Sequence, residues 1–317
     1  MENDGVFAPS EVSISNLSTL SSNQSRLEEQ RICELYEIAA EAVDNAREML
    51  ELGYGIYEIL SVMSELFSDA ECVHTECLDF NLQRLRSYAS FLGAYDKAVF
   101  SEIFLEEADK AGLTITENDF LRVYQGNGTF TYVKNPLADE AYDVFVLDFP
   151  EARLKYSKNL TEAARAVSSG EVEYCLLPLE ERGGARLPSV CELLFREDLR
   201  INSVTPVFGF DGVADVKYAL VSKHFISHEV RSDDDRYLEI RLRTDSSIPL
   251  PELLLASSAL GASIYRVNTI SFDTQDGQVQ HYSVVFKDEG KDFSALLIFL
   301  TLFAGNYTAV GIYKNLE

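Results

Sequence analysis

LTEAARAVSSGEVEYCLLPLEERGGARLPSVCELLFREDLRINSVTPV, residues 160–207, sets the grammar of this chain. Residues 160–168 keep apolar and small side chains at helical spacing, and Ser169-Gly170 is a turn signal. Residues 174–179 form a short apolar run of the kind a buried strand needs. Gly183 and Gly184 mark a loop, residues 187–195 read as a second helix, and residues 204–210 as a second strand. Helix, strand, helix and strand in this order predict an open α/β layer, with the glycine loop expected to face a ligand.

Upstream, residues 144–149 read as a strand. Strand-like alternation over 120–125 leads into Gly126-Asn127-Gly128-Thr129-Phe130-Thr131. Those glycines permit a tight turn that presents backbone N–H groups, and the threonines add hydroxyls; the same residues also fit a plain Asn-Gly hairpin. Further back the pattern is helical. Leu27, Ile32, Leu35, Ile38, Ala39, Ala42, Val43, Ala46, Met49 and Leu50 recur at helical spacing behind Ser25 and Glu28, a capping box. Helices follow over 56–67, 78–92 and 97–111, with short connections that predict antiparallel packing. Residues 1–25 are polar and aperiodic and are read as disordered. Within the helical region Cys72, His74 and Cys77 have a metal-like spacing, but a tetrahedral site needs a fourth ligand that the sequence does not offer nearby.

Downstream, strand (216–222), strand (237–243), helix (251–260), strand (262–272), strand (281–287), helix (293–303) and strand (307–313) follow one another. The last six form a β-α-β-β-α-β series, a split βαβ unit with its helices on one sheet face. The fold class expected is multidomain α+β: 1–25 disordered, 26–116 helical, 117–225 an α/β lobe, and 226–317 the split βαβ unit.

The 317 residues, 46% of them apolar, suffice for two or three cores. With 27 Lys and Arg against 52 Asp and Glu, the formal charge of -25 disfavours nucleic acid and anionic membrane surfaces as partners. Five scattered cysteines fit reduced thiols and a cytoplasmic setting. The start of the chain lacks a signal-peptide pattern, and the longest apolar run, 295–304, is too short to span a bilayer.

Three ordered markers resemble the prephenate dehydratase family. Residues 123–131, VYQGNGTFT, are similar to that family's glycine-threonine turn, and Val172-Glu173-Tyr174-Cys175-Leu176-Leu177-Pro178-Leu179-Glu180 resembles its strand ending in Pro-Ile-Glu-Asn-Ser. The β-α-β-β-α-β tail looks like the family's ACT regulatory domain, with Gly311-Ile312-Tyr313 near the terminal Leu-Gly-Ser-Tyr. The helical region stands where bifunctional members carry a chorismate mutase, and residues 27–32 resemble its first helix, although beyond Arg31 and Arg47 the basic cluster for chorismate is missing.

The resemblance implies conversion of prephenate to phenylpyruvate, CO2 and water, with no cofactor. That chemistry needs a cation for the carboxylates and a donor for the departing hydroxyl. By resemblance, Thr129, Thr131 and Lys217 are the catalytic candidates, and Gly128, Glu180, Glu181 and Arg182 the substrate-binding ones. In the tail, Leu250 and Ser271 are the ligand candidates. The sequence departs from the pattern. The family's Thr-Arg-Phe is here Val216-Lys217-Tyr218, the amide after Glu180 is Glu181, and residues 208–215 are too few for the second lobe that completes the family's cleft. Lysine cannot grip a carboxylate bidentately as arginine does. The expected function is therefore a divergent, non-catalytic protein of phenylalanine metabolism, regulatory, ligand-sensing or oligomerising, with a small carboxylate or amino acid as ligand and a homodimer through the ACT-like unit. The alternative is an active prephenate dehydratase, a carbon-oxygen lyase.

Overall fold

The computed structural model describes residues 11–67, 92–121, 123–124, 128–208, 214–226, 235–244, 248–274, 277–304 and 307–314. Three helices come first, α1 (Glu11–Glu51), α2 (Ile56–Phe67) and α3 (Ala94–Lys110). Leu35, Ile38, Ala39, Ala42, Val43 and Ala46 of α1 are buried, three or four residues apart, so they share one helix face. That face packs on α3. The helix starts at Glu11, so residues 11–25, expected to be disordered, are helical and Ser25 lies inside the helix. The third expected helix and the Cys72, His74, Cys77 group lie outside the described residues.

The strand expected over 120–125 begins as helix, at Phe120 and Leu121. Asp119 Oδ2 accepts hydrogen bonds from the backbone N–H and the hydroxyl of Thr116 at 2.7 and 2.8 Å, holding the first turn of α4 (Glu117–Leu121). Only β1 (Val123–Tyr124) remains extended, pairing in parallel with β7 (Phe225–Ile226).

The α/β lobe opens with β2 (Thr129–Val133) and α5 (Pro136–Phe145). Asn135 caps that helix by accepting from Ala138 N–H at 3.0 Å, and Pro136 stands in its first turn. The strand expected over 144–149 is instead the end of α5 and a 3-10 turn, Val146–Asp148. Once Asn135 and Pro136 start the helix, Ala138, Ala141 and Phe145 fall on its buried face. Then follow β3 (Arg153–Ser157), α6 (Leu160–Ser168), β4 (Tyr174–Glu181), α7 (Pro188–Arg196), β5 (Arg200–Phe208) and β6 (Ala214–Ser222). The tail is β8 (Arg236–Arg243), α8 (Leu250–Ala259), β9 (Ala262–Thr274), β10 (Gly277–Asp288), α9 (Ser294–Phe299), a π-helical turn (Leu300–Ala304) and β11 (Tyr307–Lys314).

All the longer strands belong to one nine-stranded sheet in the order β3-β2-β4-β6-β5-β11-β8-β10-β9. The tail contributes β11-β8-β10-β9, antiparallel throughout, which is the split βαβ topology read from the sequence. Lobe and tail meet where β11 runs parallel to β5, at Gly311 opposite Ile201, so the sheet continues through the boundary expected near residue 226. Helices α8 and α9 cover one face of the tail sheet, α3 packs on those helices and α1 on α3, one apolar core from Leu35 to Phe303. The other face of β9 receives α7 of the lobe. β5 and β6 form a hairpin in which Phe208 pairs with Ala214, with only residues 209–213 between them. No described helix is long and apolar enough to cross a membrane.

Candidate functional site

Gly128 immediately precedes β2 with φ +77, where a side chain would be strained. An added Cβ would also lie 3.4 Å from Phe149 Cβ and 3.6 Å from Ala152 Cα. Its carbonyl accepts from Arg153 N–H at 2.9 Å. The turn is thus packed against the chain's own aromatic layer, where the Phe130 ring lies 5.1 Å from both Phe149 and Tyr174. Thr129 Oγ1 accepts from Glu173 N–H at 3.0 Å, and the Thr129 N–H donates to the Glu173 carboxylate at 3.3 Å. Thr131 is buried, its hydroxyl 2.7 Å from that of Ser157. Asn127 and Gly126 lie outside the described residues.

Strand register separates these threonines from Lys217. Thr131 stands opposite Cys175 on β4 and Lys217 opposite Glu180. The five-residue offset is about 15 Å along the strand. One small substrate cannot touch both side chains.

The glycine loop closes on itself. Glu181 N–H donates to the Ala185 carbonyl at 3.0 Å and Leu187 N–H to the Leu179 carbonyl at 3.2 Å, folding residues 181–187 back along β4. Gly183 and Gly184, at φ +91 and +81, supply the reversal. Glu181 is exposed at the bend, and the exposed Arg182 lies 3.4 Å from Asp215. The consequence is the position of Arg186, whose side chain is only 7% exposed.

Arg186 sits between a carboxylate of the lobe and one of the tail. Its Nη2 donates to Glu239 Oε2 at 2.5 Å and to the Tyr313 hydroxyl at 3.1 Å, and its Nε lies 3.4 Å from Glu180 Oε1. Glu180 is held further by Arg266 Nη1 at 2.6 Å and faces Lys217 Nζ at 3.9 Å. Glu239 also accepts from the Ser283 hydroxyl at 3.1 Å and the Tyr313 hydroxyl at 3.2 Å. Two buried carboxylates therefore meet three cations, and Arg241 adds a fourth on the same face of β8. Burial opposes the charge on Arg186, but Glu239, Tyr313 and Glu180 outweigh it and hold the guanidinium charged. Burial, then the Glu239 charge, pushes the Tyr313 hydroxyl up, keeping it neutral and a donor. Arg241, stacked over the Phe195 ring at 5.0 Å, is pulled down to about 10 by burial and by the charge of Arg200. The space left among Leu179, Glu180, Val204, Lys217, Tyr237, Tyr265 and Tyr313 is about 10 Å³, room for no more than one water.

Of the sequence-derived candidates, Glu180 and Lys217 are brought together, with Arg182 and Glu181 outside on the loop and Gly128, Thr129 and Thr131 at the other end of β4. Leu250 starts α8 and packs on the helical core; Ser271 is exposed on β9, the edge strand. Glu239, Arg266, Ser283 and Tyr313 were not singled out as a site. The signal for Glu239 was a charged residue alternating with Leu238, Ile240 and Leu242, which reads equally as a solvated strand face. In the helical layer Arg31 pairs with the buried Asp96 of α3, and Arg47 lies 3.8 Å from Glu51, so both are engaged by acids. Cys175 and Cys191 are buried, and burial pushes both thiols up. Among the described residues no group of three or more metal-ligating side chains occurs.

No protein-family model matches this sequence, and no curated protein matches it. Among solved structures, the chain is similar to a prephenate dehydratase from Streptococcus mutans, at 15% identity over 60% of this chain and 100% of that one, with a TM-score of 0.48. It is also similar to GqqA, described as a novel type of quorum-quenching acylase, at 16% identity over 60% of this chain and 96% of that one, TM-score 0.43. A prephenate dehydratase from Arthrobacter aurescens in complex with L-Phe aligns at 12% identity over 58% of this chain and 89% of that one, TM-score 0.43.

Proposed function

We propose that this chain is a non-catalytic, ligand-binding relative of the prephenate dehydratases, in which an ACT-like tail is docked onto the single α/β lobe. One observation carries the reading: the Glu180 carboxylate, where the family resemblance would put substrate contacts, is occupied by the chain's own Arg266, Arg186 and Lys217, at 2.6, 3.4 and 3.9 Å. A dianionic substrate would have to displace Glu180 and Glu239 from those cations and enter about 10 Å³ of space. Lys217, the only cation of the group on β6, faces Glu180 Oε2 at 3.9 Å and stands about 15 Å from the threonine hydroxyls that would assist it. Leaving-group protonation and carboxylate binding are thus not assembled at one point by these residues, and the general-acid contribution, commonly 10²–10⁴-fold, has no source among them.

The test is incubation of the purified chain with prephenate while phenylpyruvate absorbance is followed. No rise above the spontaneous rate is expected. Turnover that Lys217→Ala abolishes would sink the reading in favour of an active dehydratase.

A further inference from the structure

A second cavity, about 420 Å³, lies at the opposite end of the sheet from the ion cluster. It is walled by α2, α4, the start of β5, the β6–β7 turn and the start of β11, so all three parts of the chain contribute. Along β5 the distance is set by register: Pro206 stands opposite Lys217 and Arg200 opposite Ser222, six residues or about 20 Å apart. The volume is in the range of small-molecule sites.

Its chemistry differs from that of the rest of the molecule. In a chain with 52 acidic and 27 basic residues, the charged side chains lining this cavity, among the described residues, are both cations, Arg200 and Lys223. Among the described residues the acid in contact with them is Asp198, exposed, which accepts from Arg200 Nη1 at 2.8 Å. Leu60, Phe120, Leu121 and Phe225 make the apolar part of the wall. Ser61, Ser64 and Thr308 add hydroxyls, and the Thr301 and Tyr307 hydroxyls pair with each other at 2.9 Å.

The cationic side is also held in place. Buried Asn202 donates to the Ser222 hydroxyl at 2.8 Å and to the His224 carbonyl at 3.3 Å, and its Oδ1 accepts from Ile226 N–H at 2.8 Å. These bonds fix the turn that carries Lys223 and Phe225. A site whose backbone is ordered beforehand loses less entropy on binding.

We propose that this cavity binds a small organic carboxylate with an apolar, ring-sized body, the carboxylate against Arg200 and Lys223 and the body against Leu60, Phe120 and Phe225. This deepens the reading above by giving the non-catalytic chain its ligand site. The test is calorimetric titration of the full chain with 3-phenylpropionate, with its neutral amide and with inorganic phosphate. The acid should bind, the amide and phosphate should bind at least about tenfold more weakly, and Lys223→Gln should weaken the acid by about tenfold, as expected for loss of one charge-assisted contact. Ser61→Phe, at an exposed position on the cavity rim, should weaken it without removing a charge. Lys217→Ala, at the far end of the sheet, should leave it unchanged. The proposal fails if the acid does not bind, if amide or phosphate binds as well as the acid, or if Lys217→Ala and not Lys223→Gln removes binding. Prephenate turnover bears on Lys217 alone, so either reading can fail while the other stands.

Discussion

Replacing Arg186 by methionine should destabilise the chain by about 3–5 kcal/mol, the usual loss when one partner of a buried ion pair is removed. The side chain is 7% exposed and reaches a carboxylate on each side, Glu180 from the lobe and Glu239 from the tail. Methionine fills much of the volume, so the loss is electrostatic rather than a cavity effect. Glu239 would keep only the Ser283 and Tyr313 hydroxyls as hydrogen-bond donors, 3.1 and 3.2 Å away, in surroundings that exclude water. Urea denaturation measures the change, and the melting temperature should fall by roughly 10 °C. Adding Glu239→Gln to Arg186→Met should recover part of the loss, because the stranded charge goes with its partner. A loss below about 1 kcal/mol would mean the pair is as hydrated as a surface salt bridge.

The second large effect is at Gly311, the position that lets lobe and tail share a sheet. An added Cβ would lie 2.8 Å from Ile201 Cβ, 2.9 Å from the Ile201 carbonyl oxygen and 2.9 Å from Tyr313 Cδ1. Two of those atoms belong to β5, across the seam, and the third is on the ring that contacts Glu239 and Arg186. Backbone strain is not the issue, since Gly311 is in ordinary extended conformation; the contact itself is. Gly311→Ala should therefore cost about 1–3 kcal/mol, the range for overpacking. It should also broaden or split the denaturation curve, because β11 would be pushed off β5 and the two halves would unfold less cooperatively. Unchanged stability with a single sharp transition would show that the seam is loose enough to admit a methyl group.

The fold was most legible where local signals agreed. Residues 160–207 showed α6, β4 and α7 because spacing, turn glycines and apolar runs all pointed the same way, while the second strand, expected from 204, begins four residues earlier at Arg200. The split βαβ tail was equally plain. The apolar run at 144–149 misled because the end of an amphipathic helix and a short strand look alike, while Asn135-Pro136 carried the deciding cap. β3 escaped because Arg153–Ser157 is an edge strand with a mostly exposed, half-charged sequence. The ion cluster was out of reach for a different reason. Arg186 and Glu239 are 53 residues apart, and nothing local distinguishes charges on a strand that will be covered by another unit from charges that will face water. The cavity at Arg200 and Lys223 draws its walls from three parts of the chain, so no single stretch of sequence announces it.

The closed face beside Glu180 is tested most directly by a double-mutant cycle between Glu180 and Arg266, using Glu180→Gln, Arg266→Gln and the double variant in urea denaturation. The two side chains meet at 2.6 Å across the lobe–tail junction, with Glu180 buried and Arg266 largely so. A coupling energy of about 1–3 kcal/mol is expected for residues sharing one ion network. Additivity to within about 0.5 kcal/mol would contradict it, leaving the Glu180 carboxylate free for a ligand and the face open.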